Sequence, residues 1–255
     1  MSKELQKVNK SKIVKSSKGK LDLTTINTGA LSASLGELSI PRLFYQLVIF
    51  VLDGTGSMTW EGKTGKPKGA EIDETITKIL ERLDNSKNKN SFDIAVYAFA
   101  ETHKTILEPT QLNKINYKSF DFNPTSYFSD GYMFENLDET LDIIKEMSFN
   151  YLEKNKSKNS QALMIILSDG AIKHFDTAKE RVDCIKAHKR ITVSSVLLED
   201  MRWDDDDDFK EEVQNKLKLF SSNEQDGHNF FTSNIDPEEI RKHMIKSIST
   251  VSKID

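Results

Sequence analysis

The chain has 255 residues, 37% of them hydrophobic and 30% charged, which is enough apolar material for one sizeable core. A net charge of −4 leaves no electrostatic footprint for nucleic acid, and no run approaches the roughly 20 apolar residues of a membrane span. The single cysteine, Cys184, excludes an internal disulfide and a thiolate metal cluster; its small side chain suits a buried position better than a nucleophilic one.

Residues 1–42 open the chain as a basic arm. The first twenty residues carry seven lysines against Glu4, so +6 stands there and −10 in the remainder. Their Lys, Ser, Thr and Asn content predicts a solvated arm, with short order near Leu31–Leu38. The lysines have no apolar stretch behind them, so the reading is no secretory signal and a cytoplasmic protein.

From residue 43 to 255 the text reads as one domain of alternating strands and amphipathic helices. QLVIFVL (46–52) is a continuous apolar run of buried-strand length. Ile72, Ile76, Ile79, Leu80 and Leu83 mark a helix over 70–83. FDIAVYAF (92–99) is a strand with HKTILE (103–108) as a short neighbour, and a helix over 135–147 follows. ALMIILS (162–168) is the second central strand. Asp176 is placed as the cap of the next helix, which runs through Val182 and Ile185. ITVSSVLL (191–198), a helix marked by Phe209 to Phe220, a strand at 228–232 and a final helix complete the series. Asp236-Pro237-Glu238-Glu239 opens that last helix as a capping box with proline at its first position. The acid run 204–208 reads as a solvated loop or helix start, Trp203 as a partly buried residue and Asp130 as a turn residue. The whole specifies an α/β fold: a doubly wound, mostly parallel sheet with helices on both faces.

Five oxygen-bearing residues stand out against that frame. Asp53, Thr55 and Ser57 follow the first central strand directly; Thr125 comes 68 positions after Ser57; Asp169 follows the second central strand. In doubly wound sheets the ligand sits outside the carboxyl ends of the strands, where strand order reverses. Two carboxylates and three hydroxyls delivered to that edge suit a hard divalent cation.

These residues resemble a known family. Asp53-Gly54-Thr55-Gly56-Ser57 is similar to the Asp-x-Ser-x-Ser signature of von Willebrand factor type A domains, and Thr125 and Asp169 match that family's later Thr and Asp. The resemblance covers roughly residues 43–251. It implies a Rossmann-like fold and a metal-ion-dependent adhesion site, with Mg2+ or alternatively Mn2+ or Ca2+. Thr55 and Ser57 would bind the ion directly, Thr125 directly or through water, and Asp53 and Asp169 largely through waters. It implies a binding protein, not an enzyme, whose partner supplies an acidic residue to the metal. Among compact bacterial relatives the resemblance points to tellurite-resistance proteins and to stress or phage-defence systems. Thr55 departs from the usual Ser, and the segment TWEGKTGKPKG (59–69) is longer than the family's pattern; Trp60 and Lys63 within it are expected on a partner-facing rim.

Rival readings fit less well. LDGT resembles the end of the haloacid-dehalogenase phosphatase motif, but Val51 stands where the nucleophilic Asp belongs. GSMTWEGKT (56–64) is one residue too long for a P-loop, and Gly65, Pro67 and Gly69 follow where a helix must start. A scaffold that uses the same face without metal is the remaining alternative.

Overall fold

The computed structural model describes residues 42, 44–128, 136–170, 172–200 and 207–252. The arm before Arg42, Asp130, Trp203 and the first three acids of the run 204–208 lie outside the described residues.

Six strands form one sheet: β1 (Tyr45–Asp53), β2 (Phe92–Phe99), β3 (His103–Gln111), β4 (Ser160–Ser168), β5 (Ile191–Leu198) and β6 (Phe231–Asn234). Their spatial order is β3-β2-β1-β4-β5-β6, with β3 antiparallel at one edge and all other pairs parallel. The order reverses between β1 and β4. Among the described residues, five helices cover the sheet: α1 (Lys68–Asp84), α2 (Asp138–Lys154), α3 (Phe175–Lys186), α4 (Asp207–Lys218) and α5 (Pro237–Val251).

Strand alternation sorts the core into two layers. Val48, Phe50 and Leu52 of β1 face α1 and α5, where Ile72, Ile76, Ile79, Ile240, Met244 and Ile248 close the layer. Leu47, Ile49 and Val51 face α2, α3 and α4, against Leu141, Ile144, Val182 and Leu217. Burial on both faces is why β1 and β4 read as unbroken apolar runs and not as alternating ones.

The expected elements are present with shifted ends. The first helix begins two residues early, at Lys68, straight after Pro67. The second starts at Asp138 and runs on to Lys154. Asp176 lies inside the first turn of α3 instead of capping it, because left-handed His174 (φ 56°) takes the cap position. The last strand lies at 231–234 and not 228–232; His228 turns inward to donate or accept at Ser247 Oγ (2.8 Å). Asp236 does cap α5, accepting from the Glu238 N–H (2.9 Å), while its own N–H goes to Asn234 Oδ1 (2.8 Å). Cys184 is exposed on α3, contrary to its expected burial, since its neighbours Val182 and Ile185 take the inward stripe.

Two tethers fix the entry and exit of the domain. Arg42 forks onto Asp93 (3.2 and 2.7 Å), and the Tyr151 hydroxyl donates to the same carboxylate (2.6 Å), tying the start of β1 to β2 and α2. The Gln46 amide donates to the Ile248 carbonyl (3.2 Å), holding the end of α5 against β1.

Beneath α5, His243 Nε2 lies 3.2 Å from Ser194 Oγ, and its ring faces that of His228 at 5.0 Å. Burial, then the charge of His228, push His243 down to about 4. Between about 4 and the ordinary 6.5 the unfolded chain binds a proton that the native protein refuses, so stability falls as pH is lowered through that window. Urea denaturation at pH 7 and pH 5 should show His243→Gln losing less stability on acidification than the wild type, by on the order of 2 kcal/mol.

Candidate metal centre

Parallel pairing of β1 with β4 decides the site. The register runs to Leu52 opposite Leu167, so Asp53 ends β1 beside Ser168 and Asp169. Asp53 is fully buried and Asp169 nearly so. Burial, and then the Asp169 carboxylate, push Asp53 up to about 6. Three hydrogen bonds pull the other way: Asp53 Oδ1 accepts from the Thr55 N–H (2.9 Å) and Thr55 Oγ1 (2.7 Å), and Oδ2 accepts from Ser168 Oγ (2.8 Å).

The chain then makes a tight turn. The Gly54 N–H donates to the Phe99 carbonyl (2.8 Å), and the 3-10 turn Gly56–Thr59 sinks Met58 into the core. That anchor leaves Ser57 half-buried above it. Ser57 Oγ lies 3.1 Å from Thr55 Oγ1 and donates to Asp169 Oδ1 (2.7 Å). A line of closely spaced oxygens therefore runs from Asp53 to Asp169 through the two hydroxyls, each of which donates its proton to one carboxylate. The extra methyl of Thr55 is accommodated, since the residue is 3% exposed with its hydroxyl turned along this line.

Thr125 comes from a second 3-10 turn, Pro124–Tyr127, capped by Asn123, whose Oδ1 accepts from the Thr125 N–H (3.1 Å) and hydroxyl (2.8 Å). Two glycines let this turn close on the first loop. A Cβ on Gly54 would strike the Phe128 ring and lie 3.1 Å from the Pro124 carbonyl oxygen, and one on Gly69 would meet Asn123 Oδ1 and Thr125 Cγ2 (3.2 Å). Asp53, Thr55, Ser57 and Asp169 are thus joined at one edge of the sheet, and the Thr125 turn packs beside them through Gly54 and Gly69 with its hydroxyl on Asn123.

The donor set fits a hard divalent cation. It is all oxygen, two buried carboxylates repel each other behind it, and Ser57 and Thr125 are only partly covered. Among the described residues no three His, Cys, Asp or Glu side chains cluster as metal ligands; here hydroxyls make up the set.

The long segment after Ser57 is a folded hairpin. Glu61 bridges to Pro67, the Gly62 N–H donates to the Lys66 carbonyl (2.7 Å), and Gly65 takes the left-handed turn position (φ 79°). Glu71 of α1 clamps it by accepting from the Thr64 N–H and hydroxyl (both 2.6 Å). Trp60 stands 48% exposed at its base. Lys63 pairs with Asp236 at the start of α5 (2.6 Å), so its ammonium already has a partner within the chain.

The sequence reading did not single out Lys68 and Asp200. Lys68, the first residue of α1, is 4% exposed and donates to Asp169 Oδ2 and to Asp200 Oδ2 (2.8 Å). Both left a signal. Asp200 lies two residues past β5, at the strand edge that drew attention to Asp53 and Asp169. Lys68 sits at the positive end of a helix dipole, where a lysine is disfavoured unless acids meet it.

The von Willebrand factor type A domain profile matches residues 48–243. The chain belongs to the von Willebrand factor type A domain family. No curated protein matches it in sequence. Among solved structures the domain resembles the pilus adhesin SpaC of Lactobacillus rhamnosus GG, with a TM-score of 0.61 and 10% identity over 82% of this chain and 31% of that one. It also resembles the conserved hypothetical protein BatB of Bacteroides thetaiotaomicron, with a TM-score of 0.55 and 17% identity over 82% and 99% of the two chains. A third is proximal thread matrix protein 1 of the mussel byssus with a zinc-occupied MIDAS motif, with a TM-score of 0.55 and 15% identity over 82% and 48%. The chain spans about a third of the pilus adhesin's length, and these likenesses establish the shared fold.

Because Gly54 carries the Phe128 ring against it, Gly54→Ala should cost about 1–3 kcal/mol in urea denaturation. It should also displace the turn that carries Thr125.

Proposed function

We propose that this von Willebrand factor type A domain is a divalent-metal-dependent protein-binding module. Thr55, Ser57 and Thr125 would hold the ion, with Asp53 and Asp169 positioning the hydroxyls from behind. Mg2+ is the expected ion, with Mn2+ and Ca2+ as substitutes. The carrying observation is the line of oxygens from Asp53 through Thr55 and Ser57 to Asp169, buried at its carboxylate ends and opening at Ser57.

An ion held there by Thr55, Ser57 and Thr125 would supply a Lewis acid. The protein's residues do the rest: the carboxylates fix the hydroxyl rotors, and the packed turns bring Thr125 alongside. A partner's acidic side chain is the natural ligand for such a centre. The exposed Trp60 gives that partner an apolar contact at the rim. The zinc-occupied motif in a structural neighbour and the adhesins and pilins among the others support a metal-centred, protein-binding reading over an enzymatic one. From the resemblance to compact bacterial relatives we further place the protein in the cytoplasm, as a partner subunit in a stress-resistance or phage-defence system of the tellurite-resistance kind.

A metal-independent scaffold is the second reading, and one observation favours it: an ammonium of the chain itself already occupies one oxygen of Asp169. Calorimetry separates the two. The wild type should show one saturable Mg2+ or Mn2+ site, absent in Asp53→Ala, while both proteins keep cooperative melting. A wild type that binds neither ion would favour the scaffold. Trp60→Ala should keep one saturable metal site and weaken capture of a chelator-sensitive partner by roughly tenfold.

A further inference from the structure

We propose that Lys68 is a positioning residue that sets the charge of the metal centre, weakening the hold on the cation so that the loaded site still attracts a partner's carboxylate. The inference rests on the metal-binding reading above.

The placement of Lys68 is costly on three counts. It is buried, it starts a helix whose N-terminal pole is already positive, and it carries a charge that water would otherwise solvate. Such a placement persists when the charge itself is met. Asp169 and Asp200 meet it, with side-chain exposures of 1% and 4% against 5% for the lysine. The Trp60 ring lies over the ammonium at 5.6 Å. The ammonium is thus fixed in place one carboxylate away from the hydroxyl set.

Asp169 has two oxygens, and the structure divides them. Oδ1 accepts from Ser57, a residue of the metal set, and Oδ2 accepts from Lys68. A cation held by Ser57 must share this carboxylate with the ammonium. At an effective dielectric of about 20, repulsion between the two across one carboxylate is worth more than a factor of ten in affinity.

The same charge helps the next step. Lys68 offsets one negative charge among Asp53, Asp169 and Asp200, and so leaves the loaded site one unit less negative. Without the lysine the loaded site would be one unit more negative and would attract an incoming carboxylate less. Lys68 therefore exchanges metal affinity for ligand affinity, and the two effects have opposite signs. A lysine that only packs the start of α1 would move neither in that pattern.

The test is Mn2+ binding at pH 8 by calorimetry and electron paramagnetic resonance, followed by titration of the loaded proteins with acetate. Lys68→Met should bind Mn2+ at least tenfold more tightly and acetate several-fold more weakly than the wild type. Asp200→Asn, which leaves the ammonium less compensated, should bind Mn2+ more weakly. Should Lys68→Met fail to fold with its two facing carboxylates, the pair Lys68→Met with Asp200→Asn removes one charge of each sign. That double variant should bind Mn2+ at least tenfold more tightly than Asp200→Asn alone. Equal or weaker Mn2+ binding in folded Lys68→Met, or in the double variant relative to Asp200→Asn, overturns the role of Lys68 and leaves the metal site standing. Absence of Mn2+ binding in every protein, wild type included, overturns the metal-binding reading and this inference with it.

Discussion

The structure turns on two like charges forced together. Parallel pairing of β1 and β4 brings Asp53 and Asp169 to adjacent strand ends in nearly dry surroundings. Carboxylates in that position are tolerated only where hydrogen bonds and positive charge meet them. The chain provides both. Thr55, Ser57 and Ser168 donate to the pair, and Lys68 brings an ammonium to the outer face of Asp169. The glycines at 54 and 69 then allow the Thr125 turn to approach, which completes an oxygen-lined edge.

Packing and hydrogen bonds hold the loops around that edge. Met58 pins the first turn, Asn123 caps the second, and Glu71 clamps the hairpin that carries Trp60. The hairpin also reaches α5 through Lys63 and Asp236, although that pair is exposed and contributes little by itself. A cleft lined by Lys68, Leu167, Leu198, Pro237 and Ile240 lies between the site and the start of α5. Changes at the oxygen line therefore have a short physical route to the last helix, through side chains the two regions share.

Two partly covered hydroxyls above a buried negative pair can orient an ion, but among the described residues no histidine contacts them. His228 and His243 are engaged elsewhere, with Ser194 and Ser247 beneath α5, and burial holds both below the ordinary imidazole range. A base that takes up protons reluctantly and faces the core is a packing element.

Much of this was legible before any coordinates. Continuous apolar runs announced β1 and β4 because strands buried on both faces have no polar side to alternate. Asp53, Thr55, Ser57 and Asp169 were legible because they follow those runs directly, and the position of a strand's carboxyl end is a local property of sequence. Helix ends were less so: the start of α1 at Lys68 and the cap at His174 depend on what the loops before them touch. The sequence by itself determined the fold class and the sheet edge at which Asp53 and Asp169 stand. Only the tertiary structure decided that Asp169 and Asp200 share the buried ammonium of Lys68, which lies 132 positions before Asp200. The charge of the site is a sum over Asp53, Lys68, Asp169 and Asp200, from four separate segments, and no local pattern of apolar and polar residues records which distant charges a fold will bring within hydrogen-bonding distance.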